Sequence, residues 1–295
     1  MKKYYGEIGL LITAIIWGSG FVATAISLES YTAFQSMAIR FLTGALLLIL
    51  IYYKKLRHIS KDLLIKGTIL GTVLYAAFAL QTIGLVYTTP SKNAFLTAVN
   101  VIIVPIILFI FYKRRLDRYE TIGALLAVIG IGLLSLQLTG VINIGDFLSF
   151  LCAIGFAIHI IFTAKFVKDT DPILLTLIQL MTAAVIGFVI LAFKQEMALP
   201  YESKSFFASL YLGVFSTCLA YVLQTFGQKF LSETKAAIIL STEALWGMFF
   251  SVLILHEVIT FRMGLGALFI FIAIIISEAK HHLLKFIPLR RNVSE

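Results

Sequence analysis

The chain contains one stretch twice. Leu80-Gln81-Thr82-Ile83-Gly84 returns as Leu223-Gln224-Thr225-Phe226-Gly227, which is a shift of 143 positions. Without a gap, the same shift aligns Lys92 with Lys235. Self-similarity at a fixed spacing means that one structural unit is used twice and packs against its own copy. This repeat constrains the fold more than any single motif in the chain.

Both copies consist of apolar segments that are long enough to cross a bilayer. Hydrophobic residues make up 60% of the chain and charged residues 13%, and the mean hydropathy is +0.99. A soluble domain carries about 25% charged residues, so this composition indicates a polytopic membrane protein in contact with the lipid bilayer. Runs of about 20 apolar residues predict an all-α fold with ten transmembrane helices. The predicted helices are Tyr5–Ile26, Phe34–Tyr53, Ile65–Tyr87, Ser91–Tyr112, Tyr119–Gln137, Gly145–Phe166, Pro172–Phe193, Ser205–Gln228, Thr234–Leu255 and Phe261–Ser277.

A net charge of +9 could indicate a nucleic-acid partner. The charges lie between apolar spans, however, and are therefore interpreted as a topology signal. Basic residues collect in the loops of one side, from Lys2 at one terminus to Arg291 at the other. Both termini are therefore predicted to be cytoplasmic, which needs an even number of spans. The predicted layout is a first repeat over residues 1–140, a second over 141–280 and a basic cytoplasmic tail over 281–295.

Five helices per copy is an odd number, so the second copy enters the membrane from the opposite side. Lys92 and Lys235 align in sequence, yet the predicted topology places them on opposite faces. Two inverted five-helix repeats around a central cavity are typical of secondary transporters, whose site lies near the midplane between the repeats. The architecture thus predicts a small-molecule substrate.

One carboxylate is predicted in the middle of a span. Glu243 lies about eight residues into its helix, ~12 Å from the helix end, and Asn100 holds the aligned position in the first copy. A charge at that depth costs at least about 2.5–3.5 kcal/mol, so Glu243 is protonated, paired or facing water. It is a candidate for proton coupling or substrate binding, and the alternative is a neutral acid bonded between helices.

Three further side chains have two interpretations each. Arg40, about six residues inside its helix, either pairs with an anionic substrate group or reaches the outer surface and helix carbonyls. Trp17 lies mid-span beside Gly18-Ser19-Gly20, where it walls a cavity or simply packs. Trp246, on the same helix face as Glu243, has the same two interpretations.

Neutral polar groups extend the candidate site. Gln81 and Gln224 occupy aligned positions, and amides in a helix bundle either grip a polar solute or join helices. Asn100 is a further hydrogen-bonding candidate. His159 lies deep in a span, where it either titrates or, as is more common, forms an interhelical hydrogen bond.

No catalytic set is apparent. Ser19 and His159 can be imagined as an intramembrane dyad, but the first glycine of a Gly-x-Ser-Gly pattern is missing. The sequence has no Walker loop and no spacing typical of metal ligands, so neither a cofactor nor a metal is expected. Without an ATP site, transport is driven by a gradient or is passive.

Several motifs in this order resemble the drug/metabolite transporter superfamily, in its ten-helix EamA family. Trp17-Gly18-Ser19-x-Phe21 and Arg40-Phe41 are similar to the family's patterns in the first two helices. Gly84-Leu85-x-Tyr87-Thr88-Thr89 is similar to its junction between helices 3 and 4, and Ser241-x-Glu243-Ala244 to its ninth helix. Arg114 stands where the family usually has a Glu at the end of the fourth helix.

The resemblance covers essentially the whole chain. It implies two five-helix repeats that rock around a central cavity, a bacterial plasma membrane, and movement of small metabolites such as amino acids. Combined with the residues above, it predicts a secondary active transporter, an exporter of amino acids or related compounds, with protons as a candidate coupling ion. Ten helices can enclose a cavity alone, so a monomer is expected. The rivals are an uncoupled uniporter and an intramembrane enzyme.

Overall fold

The computed structural model describes residues 2–113, 118–135 and 143–286, and these residues form helices without a β-strand. In this part of the chain, eight helices are long and apolar enough to cross a membrane, and two others contain shorter apolar stretches. The predicted all-α polytopic fold is confirmed. In chain order the helices are α1 (Lys2–Ser27), α2 (Ala33–Tyr52), α3 (Lys61–Tyr87), α4 (Pro90–Tyr112), α5 (Arg118–Ser135), α6 (Ile144–Phe166), α7 (Pro172–Lys194), α8 (Ser203–Gln228), α9 (Glu233–Leu255) and α10 (Phe261–Phe286).

Side-chain caps fix where most of these helices begin. Thr32 accepts a hydrogen bond from the Gln35 N–H and forms a capping box at the start of α2. Asp171, followed by a proline, caps α7 through two backbone N–H groups. Thr89 caps α4 and Ser232 caps α9, and each side chain accepts a hydrogen bond from one backbone N–H. Such caps satisfy N–H groups that the first helical turn leaves without partners, which matters most where little water is available.

Helices α4 and α9 are each divided at one residue, and the two residues are aligned in the repeat. Val99 separates Pro90–Ala98 from Asn100–Tyr112, and Thr242 separates Glu233–Ser241 from Glu243–Leu255. At both points the backbone makes i→i+3 hydrogen bonds, which tighten the helix locally. The division does not fall at Pro105, the proline inside α4.

The shift that relates the two copies is not constant along the chain. It is 143 positions in α4 and α9, whose segments match residue for residue. In the first two helices of each copy the shift is 139, because α1 and α6 end at Ser27 and Phe166, and α2 and α7 follow Thr32 and Asp171. The second copy therefore has four more residues than the first in this part, and three of them lengthen α7, which has 23 residues where α2 has 20.

Matching contacts support this correspondence. The rings of Trp17 and Tyr221 lie 5.1 Å apart, and those of their counterparts Phe156 and Phe78 lie 5.2 Å apart. The first helix of each copy therefore packs on the third helix of the other copy. The copies are interleaved rather than set side by side.

The aligned helices α4 and α9 run antiparallel to each other. A Cβ atom on Gly247 would lie 2.7 Å from the Ala94 side chain, and Ser91 donates to the Glu257 carboxylate at 2.8 Å. Residues further along α4 therefore contact residues nearer to the start of α9. The first turns of these two helices lie at opposite ends of the molecule.

Two boundaries differ from the sequence predictions by four residues or more. Helix α10 continues to Phe286 instead of ending at Ser277, so the expected tail from residue 281 begins as helix. Helix α3 begins at Lys61 rather than Ile65, because Ser60 caps it. The predicted end of the fifth helix at Gln137, Arg114, and residues 287–295 of the tail lie outside the described residues.

Candidate functional site

A small polar cavity lies between the two copies. It offers about 30 Å³ to the centres of water molecules, which is room for one or two of them. Helices α1, α2, α3, α4, α6, α8 and α9 contribute to its walls. The lining residues are Trp17, Gly20, Phe21, Thr24, Arg40, Phe78, Gln81, Thr97, Phe156, Ser216 and Glu243.

Arg40 enters the cavity from α2 and is only 3% exposed. Its Nε donates to the Thr217 hydroxyl at 3.0 Å and its Nη2 to the Ser216 hydroxyl at 3.2 Å. The guanidinium carbon lies 4.2 Å from the centre of the Phe78 ring, a cation–π arrangement. No carboxylate of the described residues lies within ion-pair distance. A guanidinium has five N–H donors, so donors remain for a ligand.

The two hydroxyls that hold Arg40 come from an unusual segment of α8. Leu212–Leu219 is a π-helix, a widened form of helix that is rare overall but often found at functional sites. The same segment turns the Ser216 carbonyl towards Trp17, whose Nε1 donates to it at 2.9 Å. The packing there is close, because a Cβ atom on Gly213 would lie 2.5 Å from Thr43 of α2. Arg40 and Trp17 are thus positioned by one stretch of α8.

Glu243 is the first residue after the division in α9 and is 4% exposed. Within the described residues, no basic nitrogen lies within ion-pair distance of its carboxylate. The cavity therefore contains one buried cation and one buried acid that are not paired with each other. Buried charges are normally paired, because an unpaired one loses its hydration without compensation.

Gln81 forms a neutral polar corner of the same cavity. Its Nε2 donates to the Thr97 hydroxyl at 3.1 Å, and its backbone carbonyl accepts from the Asn93 side chain at 3.1 Å. Thr97 is also 3.3 Å from the Cys152 sulfur. This corner joins α3, α4 and α6 on the side away from Arg40's hydroxyl partners.

Comparison with known proteins identifies the family. The sequence profile of the EamA-like transporter family matches residues 4–136 and, a second time, residues 143–278. This chain belongs to the EamA-like transporter family. The resemblance noted in the sequence is thereby confirmed, and the family is one of transporters rather than enzymes.

Curated relatives agree with this assignment. This EamA-like transporter is 31% identical over 276 residues to a protein of Archaeoglobus fulgidus described as an uncharacterized transporter, covering 94% of this chain and 86% of the relative. It is 24% identical to YoaV, an uncharacterized transporter of Bacillus subtilis, covering 89% and 93% of the two chains. A crystal structure with a TM-score of 0.68 and 14% identity covers 94% of this chain and 97% of its own, which supports the fold.

The EamA-like transporter brings together four of the eight predicted site residues: Glu243, Arg40, Trp17 and Gln81 line the cavity. The other four are absent from its lining. Trp246 packs against Gly18 of α1, where an added Cβ would lie 2.3 Å from the Trp246 Cβ. His159 is buried and hydrogen-bonded to Gln179 at 2.8 Å. Asn100 and Gln224 are buried, and the side-chain oxygen of each lacks a hydrogen-bond partner among the described residues.

Sequence reasoning missed several residues of this cavity. Phe78, Phe156 and Gly20 are apolar residues among many others, and only packing selects them. Ser216 had a usable signal, since Ser216 and Thr217 form a hydroxyl pair within an apolar span.

Proposed function

We propose that this protein is a secondary transporter that exports small zwitterionic metabolites, with amino acids as the first candidates. One observation carries this proposal: Arg40 and Glu243 line the same cavity, and neither has an ion-pair partner among the described residues. An arginine fork binds a carboxylate, and a carboxylate binds an ammonium group. An amino acid presents both groups and would satisfy both buried charges at once.

Alternating access between inverted repeats is the mechanism that fits. Helices α4 and α9 are aligned in sequence, run antiparallel and are tightened at aligned residues, Val99 and Thr242. Short stretches of i→i+3 bonding inside a helix often mark a hinge. The space open to water centres is only about 30 Å³, so we expect the helices to part when a solute is admitted. Rocking of one repeat against the other around a fixed site would do this.

Glu243 is the candidate coupling residue. A mid-membrane carboxylate can carry a proton in one state and bind an ammonium group in another, and intramembrane acids commonly serve in proton relays. Its aligned residue Asn100 cannot ionise. We also propose cytoplasmic termini, which the loop charges support, and export across a bacterial plasma membrane, for which the support is the family resemblance.

Proton movement in proteoliposomes tests this function. Purified protein is reconstituted with an internal pH-sensitive dye and offered a panel of amino acids and organic cations. Wild type is compared with Glu243→Gln, and with Asp169→Asn as a control on an exposed acid of the turn after α6. We expect solute-triggered proton flux in wild type and in the control, and none in Glu243→Gln.

Each other result rejects part of the proposal. Equal flux in Glu243→Gln rejects that residue as the coupling site. Uptake of labelled solute without proton flux identifies a uniporter. Uptake of organic cations but not of amino acids rejects the role of Arg40 in binding a carboxylate.

A further inference from the structure

Two ion pairs join the repeats, one at each end of the molecule. The Lys92 Nζ lies 3.5 Å from the Asp146 carboxylate, and the Lys235 Nζ lies 2.5 Å from the Glu7 carboxylate. Each pair combines a lysine of one copy with an acid from the first helix of the other copy. Because α4 and α9 run antiparallel, the two lysines lie at opposite ends.

These pairs are the same interaction built twice. Lys92 and Lys235 are related by the shift of 143, and the N–H of each donates to the hydroxyl of a capping residue at 3.4 Å. Asp146 and Glu7 are related by the shift of 139 that applies to the first helices. Each acid directly follows a glycine, Gly145 or Gly6.

The glycines make a second matched contact beside each ion pair. A Cβ atom on Gly145 would lie 2.5 Å from the Gly84 carbonyl oxygen, and one on Gly227 would lie 2.9 Å from the Gly6 carbonyl oxygen. Gly84 and Gly227 are again counterparts at a shift of 143. At both ends, therefore, two helices from different copies touch backbone to backbone next to a cross-repeat ion pair.

The cavity with Arg40 and Glu243 lies between these two ends. Both ion pairs are formed in the structure, and the cavity holds no more than one or two waters. We expect a solute to reach it when the helices at one end separate. Separation at the Lys92 end would break the pair with Asp146, and separation at the Lys235 end would break the pair with Glu7.

We propose that the Lys92–Asp146 and Lys235–Glu7 pairs are the two gates of the transport cycle. Each pair, with its glycine contact, closes one end while the other end opens. The inference rests on the proposed alternating access, and it assigns these four residues to control of access rather than to substrate binding. In each pair the lysine side chain keeps contact with solvent, being 21% exposed in Lys92 and 27% exposed in Lys235, so water can take the place of its partner when the pair opens.

Labelling of a cavity cysteine from each side of the membrane tests the gates. Thr24 lines the cavity, so Thr24→Cys places a thiol there, while the native Cys152 and Cys218 are buried and provide the background signal. A membrane-impermeant maleimide is applied to vesicles of both orientations. We expect Lys92→Gln to raise labelling several-fold from one side only, and Lys235→Gln to raise it from the opposite side only.

Two further variants make the result decisive. Lys66→Gln removes an equivalent ion pair within α3, to Asp62 at 2.7 Å, and is expected to leave labelling unchanged. The exchanged pair Lys92→Asp with Asp146→Lys keeps opposite charges and is expected to restore the wild-type pattern. If Lys92→Gln does not fold, Asp146→Asn removes the same ion pair and is expected to give the same one-sided labelling.

The gates are rejected if both lysine variants raise labelling from the same side, raise it equally from both sides, or leave it at the wild-type level. Solute uptake is measured in the same vesicles, so that the two proposals fail separately. Uptake with unchanged labelling rejects the gates alone. Sided labelling without uptake of any amino acid supports the gates and rejects the proposed substrate.

Discussion

Arg40 on α2 and Gln179 on α7 are counterparts at the shift of 139, but their surroundings differ in charge and in space. Arg40 is held by two hydroxyls of α8 and lines the cavity. Gln179 is hydrogen-bonded to His159, which packs edge-on against Tyr221 at 5.8 Å. The first copy presents the charged Arg40 side chain to the cavity, whereas the second copy buries the hydrogen-bonded side chains of Gln179 and His159.

The difference in space has a single origin in the first helices. The counterpart of His159 in α1 is Gly20, which has no side chain and borders the cavity. Where α6 carries an imidazole, α1 has no side chain, and the Ser216 hydroxyl of α8 lies close to its backbone. The cavity is therefore a product of asymmetry between copies that share one backbone plan, and its position cannot be read from the repeat alone.

The largest effect is expected when Arg40 of the first copy is changed to glutamine, the residue at the matching position of the second copy. Arg40→Gln gives α2 the side chain of its counterpart and removes the partner of a substrate carboxylate. Removing one member of a buried, hydrogen-bonded charge pair costs about 2–5 kcal/mol, so kcat/KM for amino-acid uptake is expected to fall at least about 30-fold. Initial uptake rates over a range of solute concentrations give this ratio.

Two control variants separate charge at the site from charge in general. Lys194→Gln removes a cation that lies 4.8 Å from the Phe34 ring outside the cavity, and is expected to leave uptake unchanged. Arg40→Lys is expected to fall between wild type and Arg40→Gln, because an ammonium group cannot reproduce the guanidinium fork. Uptake by Arg40→Gln within twofold of wild type would contradict the proposed carboxylate site.

The second prediction fills the space rather than removing the charge. A Cβ atom on Gly20 would lie 2.8 Å from the Ser216 hydroxyl, the group that accepts from Arg40. Gly20→Ala is therefore expected to displace that hydroxyl and narrow the cavity. Overpacking costs about 1–3 kcal/mol, so we expect roughly a tenfold loss of uptake rate.

Gly9→Ala is the matched control on the same helix. Its added Cβ would meet its nearest neighbour, the Leu223 carbonyl oxygen, at 3.6 Å, an ordinary contact. Uptake by this variant is expected to equal that of wild type. Equal uptake by Gly20→Ala and Gly9→Ala would show that the space beside Gly20 has no part in transport.

The smallest prediction compares the capping residues of the second helices, Thr32 and Asp171. Burial raises the pKa of Asp171, but the hydrogen bond from Lys55 and those from the Leu174 and Ile173 N–H groups outweigh it and leave the pKa below its usual value. A lowered pKa in the folded state gives stability that is present above the unfolded pKa of about 3.9 and is lost as pH falls through the folded pKa.

The thermal midpoint in detergent measures this difference. Asp171→Asn is expected to lower Tm at pH 7 by about 2 °C, the size expected from about 1 kcal/mol for a cap, and to show a shallower fall below pH 4 than wild type. Thr32→Ala is expected to lower Tm by a similar amount at pH 7, because it removes a cap and a hydrogen bond to the Glu196 carboxylate. Parallel pH profiles for wild type and Asp171→Asn would contradict the assignment.

Most of the fold could be predicted from the sequence, because apolar runs and a repeat are strong signals in a membrane protein. The divisions at Val99 and Thr242 could not. Pro105 was the visible helix breaker, yet a membrane helix tolerates proline, and the tightening occurs at residues with no unusual propensity. The change of shift from 143 to 139 was hidden because the first helices share few identical residues.

The candidate site was predictable only as far as polarity is informative. Arg40, Glu243 and Gln81 are conspicuous in apolar spans, and the structure brings them together. His159 and Gln224 give the same signal but lie elsewhere, since polarity alone does not separate a group that binds a solute from one that joins two helices. Tertiary packing decides between them.

The size of the cavity also bears on how tightly the membrane stays sealed. A channel conducts through a continuous column of water, whereas about 30 Å³ holds only an isolated molecule or two. The space beside Arg40 and Glu243 is therefore too small for a continuous column of water in this conformation. Each solute must wait for a movement of helices, which takes microseconds to milliseconds. Flux is therefore expected to saturate with concentration and to stay far below the throughput of a pore.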